Sequence, residues 1–100
     1  MGAALKRLGI AAVPQYPVPR TGRYLGRYYY IDFAIVDRKI AIECDGRAWH
    51  TSSRAVAADR RRQLEMERMG WRFIRFTGSQ IVTNMPACEQ VLRNFLKGTP

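Results

Sequence analysis

The stretch YYYIDFAIVDRKIAIECD, from Tyr28 to Asp45, decides the fold. It contains two runs rich in aromatic and β-branched residues, Tyr28 to Val36 and Lys39 to Cys44, separated by Asp37-Arg38. Two such runs around a short polar break predict an antiparallel hairpin. A two-residue loop at Asp37-Arg38 and a four-residue loop from Val36 to Lys39 give the same register. Ile35 then faces Ile40, Phe33 faces Ile42, Asp32 faces Glu43 and Tyr30 faces Asp45. Alternation puts Tyr29, Ile31, Phe33, Ile35, Ile40, Ile42 and Cys44 on one face, which reads as core. The other face collects Tyr28, Tyr30, Asp32, Ala34, Val36, Lys39, Ala41, Glu43 and Asp45. A three-residue loop would scatter polar groups onto the apolar face, so the clean segregation supports an even loop.

That register gathers three carboxylates. Directly opposed side chains have β-carbons roughly 4.5 to 5.5 Å apart, and like charges placed there are destabilising. Asp45 adds a third charge about 6.6 Å along the same strand face, at about 3.3 Å of rise per residue. A hard divalent cation relieves the repulsion, since Mg²⁺ takes carboxylate oxygens and keeps several waters. The competing reading is that the three acids pair with neighbouring arginines and serve the fold alone.

The rest of the chain favours the cation. Among 100 residues, 17 Lys and Arg stand against 8 Asp and Glu, a net charge of +9, and 14 of those cations are Arg. Guanidinium groups fork onto phosphate oxygens, so the excess points to a polyanionic partner, nucleic acid first. An acidic pocket within a phosphate-attracting surface is what metal-dependent phosphodiester cleavage requires. With 47% hydrophobic residues and 11 aromatic ones the chain is not a disordered tail, and it reads as one domain over 1–100. No apolar run approaches the roughly 18 residues a membrane span needs, and no secretory h-region opens the chain, so a cytoplasmic protein is expected. Cys44 and Cys88 read as reduced thiols, and the absence of a Cys/His cluster excludes structural zinc.

Outside the hairpin, Ala3 to Leu8 reads as a short helix ended by Gly9. Val13 to Val18 reads as an edge strand, because Pro14, Pro17 and Pro19 cannot donate to a ladder. A helix is expected from Ser53, its N-cap, to Met69, with Gly70 ending it. A strand follows from Trp71 to Phe76, then a break at Gly78-Ser79 and a last helix from about Pro86 to Leu96. The order is α-β-β-β-α-β-α.

Further candidates surround the acids. His50, the only histidine, lies five residues beyond Asp45 and suits proton transfer near neutral pH. Gly46 turns the chain, and Trp49 packs beneath the loop or stacks on a base. On the second helix Asp59, Arg62 and Met66 share a face with Ala55, Ala58 and Met69. A cation on that stripe must be paired or serve a site, so Arg62 bonds Asp59 or reaches a phosphate. Arg60, Arg61 and Arg68 point elsewhere. Tyr24 to Tyr30, interleaved with Arg23 and Arg27, mixes rings and cations as strand-binding surfaces do.

Taken together, Ile31-Asp32-Phe33, Ile42-Glu43-Cys44-Asp45-Gly46 and Trp49-His50 resemble the strand pair of the very-short-patch mismatch-repair endonucleases and their relatives in the PD-(D/E)XK nuclease superfamily. Asp59, Arg62, Gly70-Trp71-Arg72, Ile74-Arg75-Phe76 and Ile81 resemble the helix, turn and last core strand of that group, and the likeness runs from about Leu5 to Leu96. The resemblance implies a restriction-endonuclease-like α/β core with a mixed four-stranded sheet flanked by helices. It also implies Mg²⁺-dependent hydrolysis of DNA, with Mn²⁺ as a substitute, often as a single-strand nick. Asp32 would lead the metal ligands, with Glu43 and Asp45 beside it and His50 moving a proton. Gln15 matches an early polar position. Arg47, Arg62 and Arg75 would neutralise phosphate, and Arg23 and Arg27 would track the strand. Two departures bear on water activation: Asp45 stands where the superfamily has lysine, and the first helix lacks an acidic residue. A homodimer or a larger parent protein is compatible with this reading. The alternatives are a nucleic-acid-binding module without chemistry, from a larger protein or a toxin–antitoxin or mobile-element system, and a basic domain that binds an acidic protein.

Overall fold

The computed structural model describes residues 1–45 and 52–98. In chain order the elements are α1 (Gly2–Arg7), β1 (Val13–Pro19), β2 (Tyr28–Ile35), β3 (Ile40–Asp45), α2 (Ser53–Arg68), β4 (Arg72–Thr77), α3 (Gly78–Thr83) and α4 (Met85–Lys97). The strands form one mixed sheet in the order β1-β2-β3-β4; the first two neighbour pairs are antiparallel, and β3 and β4 are parallel. This is the expected α/β architecture. The proline-rich strand lies at the sheet edge, where its missing N–H groups cost no ladder bonds.

The hairpin has the expected register, with Ile35 opposite Ile40 and Phe33 opposite Ile42. Its connection is the longer of the two candidates: Val36–Arg38 form one 3₁₀ turn and Lys39 turns left-handed at φ +51°. Two bonds fix that residue, from its ammonium to the Met69 carbonyl at 2.8 Å and from the Arg72 N–H to its own carbonyl at 2.9 Å. The turn thereby ties the end of α2 to the start of β4.

Both faces of the sheet are covered. On one face Ile35, Ile40, Ile42, Ile74 and Phe76 pack under α1 and α4 through Leu5, Cys88 and Leu92. On the other, Ile31, Ala34, Ala41 and Val18 pack under α2 through Met66, with Trp71 beside them. Ala34 and Ala41 are small and fully buried, which lets the helix come close. The hairpin face that gathers the carboxylates therefore also contributes Ala34 and Ala41 to a core.

Tyr29 and Ile31 belong to the α2 side, whereas Phe33 and Ile35 belong to the opposite side, although strict alternation would keep all four together. Alternation slips at Asp32. On the neighbouring strand Gln15, at the same level, has φ +49°, a left-handed value uncommon outside glycine, and it is skipped in the β1–β2 pairing. Both strands thus distort where the first carboxylate stands.

Two helix boundaries also differ. Ser52, not Ser53, caps α2, its hydroxyl accepting the Ala55 N–H at 3.1 Å. The break expected at Gly78-Ser79 is instead the start of α3: Thr77 accepts the Gln80 N–H at 3.1 Å, and the Gln80 side chain accepts the Thr77 N–H at 2.8 Å. This reciprocal capping box satisfies two helix-end donors and makes helix out of a Gly-Ser start. Among the described residues, no helix is long and apolar enough to cross a membrane.

Candidate active site

Beyond the Phe33–Ile42 pair, the backbone ladder between β2 and β3 stops, while β2 stays paired to β1 and β3 to β4. The two strands part, and carboxylates occupy the opening. Asp32 Oδ2 accepts the Cys44 N–H at 2.8 Å, and Glu43 Oε2 accepts the Asp32 N–H at 3.3 Å. Each acid thus satisfies a main-chain donor at the level of the other. That cross-bonding offsets the repulsion their opposition would create.

Glu43 is the one charged residue buried among the described residues, at 5% exposure. Burial raises its carboxyl pKa above the ordinary 4.5, with Arg62 pulling in the other direction. Arg62 Nη2 lies 2.5 Å from Glu43 Oε1 and donates to the Tyr30 carbonyl at 2.7 Å. Glu43 Oε1 is shielded from solvent, and the Arg62 guanidinium against it supplies its positive charge.

Asp45 stands apart from this pair. Its carboxylate meets Arg75 Nη1 at 3.2 Å, and the same guanidinium holds Asp59 at 3.1 Å and donates from Nε to Gln63 at 3.1 Å. Burial works against the Arg75 charge, but the Asp59 and Asp45 carboxylates more than compensate and hold it firmly protonated. The expected trio is therefore divided into a pair and a single acid. Among the described residues no three His, Cys, Asp or Glu side chains converge as ligands for one ion. The expected Tyr30–Asp45 facing pair is absent from the ladder, because the strands have already separated.

Arg62 reaches Glu43 rather than the expected partner Asp59, which belongs to Arg75. Gln15 does join the site, its amide donating to Asp32 Oδ1 at 3.4 Å. Arg23 and Arg27 lie in the loop before β2 and belong to neither carboxylate cluster. Arg47 and His50, with Gly46 and Trp49, fall outside the described residues. Between α2 and β4 runs a groove of about 740 Å³ lined by Asp45, Asp59, Arg60, Gln63, Glu67 and Arg75. It carries both signs of charge.

Several participants escaped the sequence reading. The Cys44 amide that orients Asp32 carries no side-chain signature. Gln63 sits four residues beyond Asp59, so the helical period does place both on one face, but Arg75 reaches them through the parallel pairing of Glu43 with Arg75. No turn fixes that register in the sequence. The Cys44 thiol itself is pushed up to about 11, first by burial and then by the Asp32 charge. It is a poor nucleophile.

Comparison with known proteins agrees with this architecture. The structure matches the homing endonuclease I-Bth0305I catalytic domain with a TM-score of 0.69 at 18% identity, covering 94% of this chain and 86% of that one. At that identity the likeness concerns the fold. A comparison with curated protein sequences gave no match. The sequence matches the REase_MTES_1575 family over residues 1–96. That is the restriction-endonuclease-like group at large rather than the very-short-patch repair enzymes in particular. With nearly its whole length matched, the chain belongs to the REase_MTES_1575 family, a restriction-endonuclease-like nuclease family.

Proposed function

We propose that the protein is a metal-dependent DNA endonuclease that hydrolyses phosphodiester bonds one strand at a time. One observation carries the reading: Asp32 and Glu43 are cross-bonded at the mouth of the parted strands, each accepting a main-chain N–H beside the other. Membership in a nuclease family and the +9 charge supply the substrate class.

The donor set fits a hard divalent cation. Two carboxylates are enough for Mg²⁺, which usually keeps several waters. Asp32 and Glu43 would hold it, with Asp45 as a further oxygen donor only if Arg75 releases it. When bound, such a cation supplies stabilisation of the charge that develops on the phosphate oxygens. The chain's own residues do the rest. The Cys44 N–H and the Gln15 amide hold Asp32 in one orientation. Arg62 neutralises Glu43 in the free protein and is placed to meet a phosphate when the carboxylate turns to a cation. Arg75 brings a positive charge against Asp45, where the superfamily has lysine. A guanidinium does not give up its proton in this pH range, so Arg75 can stabilise charge but cannot accept the proton of the attacking water. That task falls to His50 in this reading, as its spacing from Asp45 suggests.

The test is nicking of supercoiled plasmid with Mg²⁺ or Mn²⁺. Wild type should nick and Asp32→Ala should not; equal cleavage by both would end the proposal. A second reading, a nucleic-acid-binding module without hydrolysis, draws on the Arg75 clamp on Asp45. In that case binding would weaken with salt at a log–log slope of about 0.9 per neutralised phosphate, and neither metal nor Asp32 would matter.

A further inference from the structure

The loop joining β1 to β2 has features that the carboxylate site does not use. Its base is closed by the Arg20 N–H donating to the Arg27 carbonyl at 2.9 Å, which extends the β1–β2 pairing. Within it, the Leu25 N–H donates to Gly22 and the Arg27 N–H to Tyr24, at 3.1 and 3.0 Å. Gly22 and Gly26 take φ of +66° and +91°, values that let so short a loop turn twice. The Arg20 guanidinium lies 3.8 Å from the Tyr24 ring centre and 4.3 Å from that of Tyr29, and 3.8 Å from Glu65 on α2. Tyr29 in turn donates to Glu65 at 2.8 Å. The loop is thus pinned to the helix below it.

At its tip Leu25 is 81% exposed. A single exposed apolar residue is ordinary, and Val82 on α3 is as exposed, at 84%. The surroundings differ. No basic residue occurs in Gly78–Thr83, whereas Arg23 and Arg27 stand two residues to either side of Leu25. Arg61 and Arg68 of α2 line the adjoining depression together with Arg23 and Tyr24. Tyr28 and Tyr30, both about half exposed, continue from the loop along β2 toward Asp32.

Proteins that open DNA base steps use this combination: a projecting Leu, Phe, Ile, Met or Pro between cations that hold the flanking phosphates. We infer that the loop is a preformed wedge that inserts Leu25 into a base step of duplex DNA, with Arg23 and Arg27 on the phosphates beside it. The inference deepens the endonuclease reading and rests on it for the identity of the polymer. From Tyr28 to Asp32 the strand covers about 13 Å. With the duplex axis along β2, the opened step lies about four nucleotides from the phosphate at the carboxylates, at 3.4 Å of axial rise per nucleotide. The wedge locally unstacks the duplex on one side of the cut and gives the enzyme a preference for steps that are already weakened.

The experiment uses the full chain in chelator, where no cutting occurs. A 30-base-pair duplex carries 2-aminopurine at successive positions, and a second duplex carries a one-nucleotide gap. Wild type should raise 2-aminopurine fluorescence at a discrete position and bind the gapped duplex about tenfold more tightly than the intact one. Leu25→Ala should bind intact duplex with little change yet lose both signals, Leu25→Met should keep them, and Val82→Ala should behave as wild type. Arg23→Ala should weaken binding to both duplexes alike. Leu25 touches no core, so circular dichroism and melting should be unchanged in its variants. Binding by Leu25→Ala with undiminished fluorescence and gap preference would overturn the wedge, as would wild-type binding without either signal. Failure of wild type to bind any duplex at low salt would instead remove the DNA reading itself.

Discussion

The two ends of the β2–β3 ribbon are built from one continuous register and behave as opposites. At the turn end Ile35–Ile40, Ala34–Ala41 and Phe33–Ile42 close the strands with backbone bonds, and five of those six residues are buried. At the far end the same strands separate, and Asp32, Glu43 and Arg62 take up the main-chain donors and acceptors left behind. The closed end contributes stability. The open end consumes some of it, since burial opposes the Glu43 charge that Arg62 favours. The comparison shows how a hairpin carries a polar site: regular pairing ends where the first carboxylate begins.

The sharpest way to break the comparison is to exchange the consequences of its two ends. Asp32→Ala should lower plasmid nicking by roughly a thousandfold or more while leaving the fold intact. Ile42→Ala, at the closed end, should cost about 2–5 kcal/mol in urea unfolding and spare nicking wherever the protein stays folded. If Ile42→Ala abolished chemistry in folded protein, the division between the two ends would fail. Next in size is Arg75→Ala, which strips Asp45, Asp59 and Gln63 of a shared donor. It should destabilise by about 1–3 kcal/mol, with Arg75→Lys intermediate because it keeps the charge and loses the fork.

Glu43 sharpens the same contrast through pH. Its folded-state pKa lies above 4.5, so the folded chain holds that proton more tightly than the unfolded chain does. Its contribution to stability is full below about pH 4.5 and is lost as pH rises through the folded-state value. In chelator, the melting temperature of Glu43→Gln relative to wild type should therefore increase from about pH 4 to pH 7. A constant difference across that range would mean that burial does not oppose the charge. Cys44 gives a separate chemical reading of the open end. With its thiol near 11, alkylation by iodoacetamide at pH 8 should run roughly a hundredfold slower than for a free cysteine, read by mass spectrometry. Asp32→Ala should speed it, by removing a neighbouring negative charge.

Much of this was legible in the residues. Apolar alternation and the even loop gave the hairpin register, and prolines at 14, 17 and 19 marked the edge strand. The closeness of Asp32 and Glu43 followed from that register, although the ladder stops one pair before them and a side-chain bond joins them instead. The division of the acids did not, because alternation assumes a regular strand, and the slip at Asp32 and Gln15 is backbone geometry with no residue code of its own. Nor did the partners of Arg62 and Arg75. Helical spacing placed Arg62 beside Asp59, but which acid it meets depends on how α2 crosses the sheet. The start at Gly78-Ser79 read as a break because Gly is a poor helix former, and the capping pair Thr77 and Gln80 outweighed it.

The central claim is that Asp32 and Glu43 together hold a divalent cation. Anomalous diffraction from a crystal soaked in Mn²⁺ tests it most directly. The expected result is a peak within coordination distance of a carboxylate oxygen from each of the two residues, lost in Asp32→Ala crystals. A peak elsewhere, or none at that pair in a preparation that nicks plasmid, would contradict it.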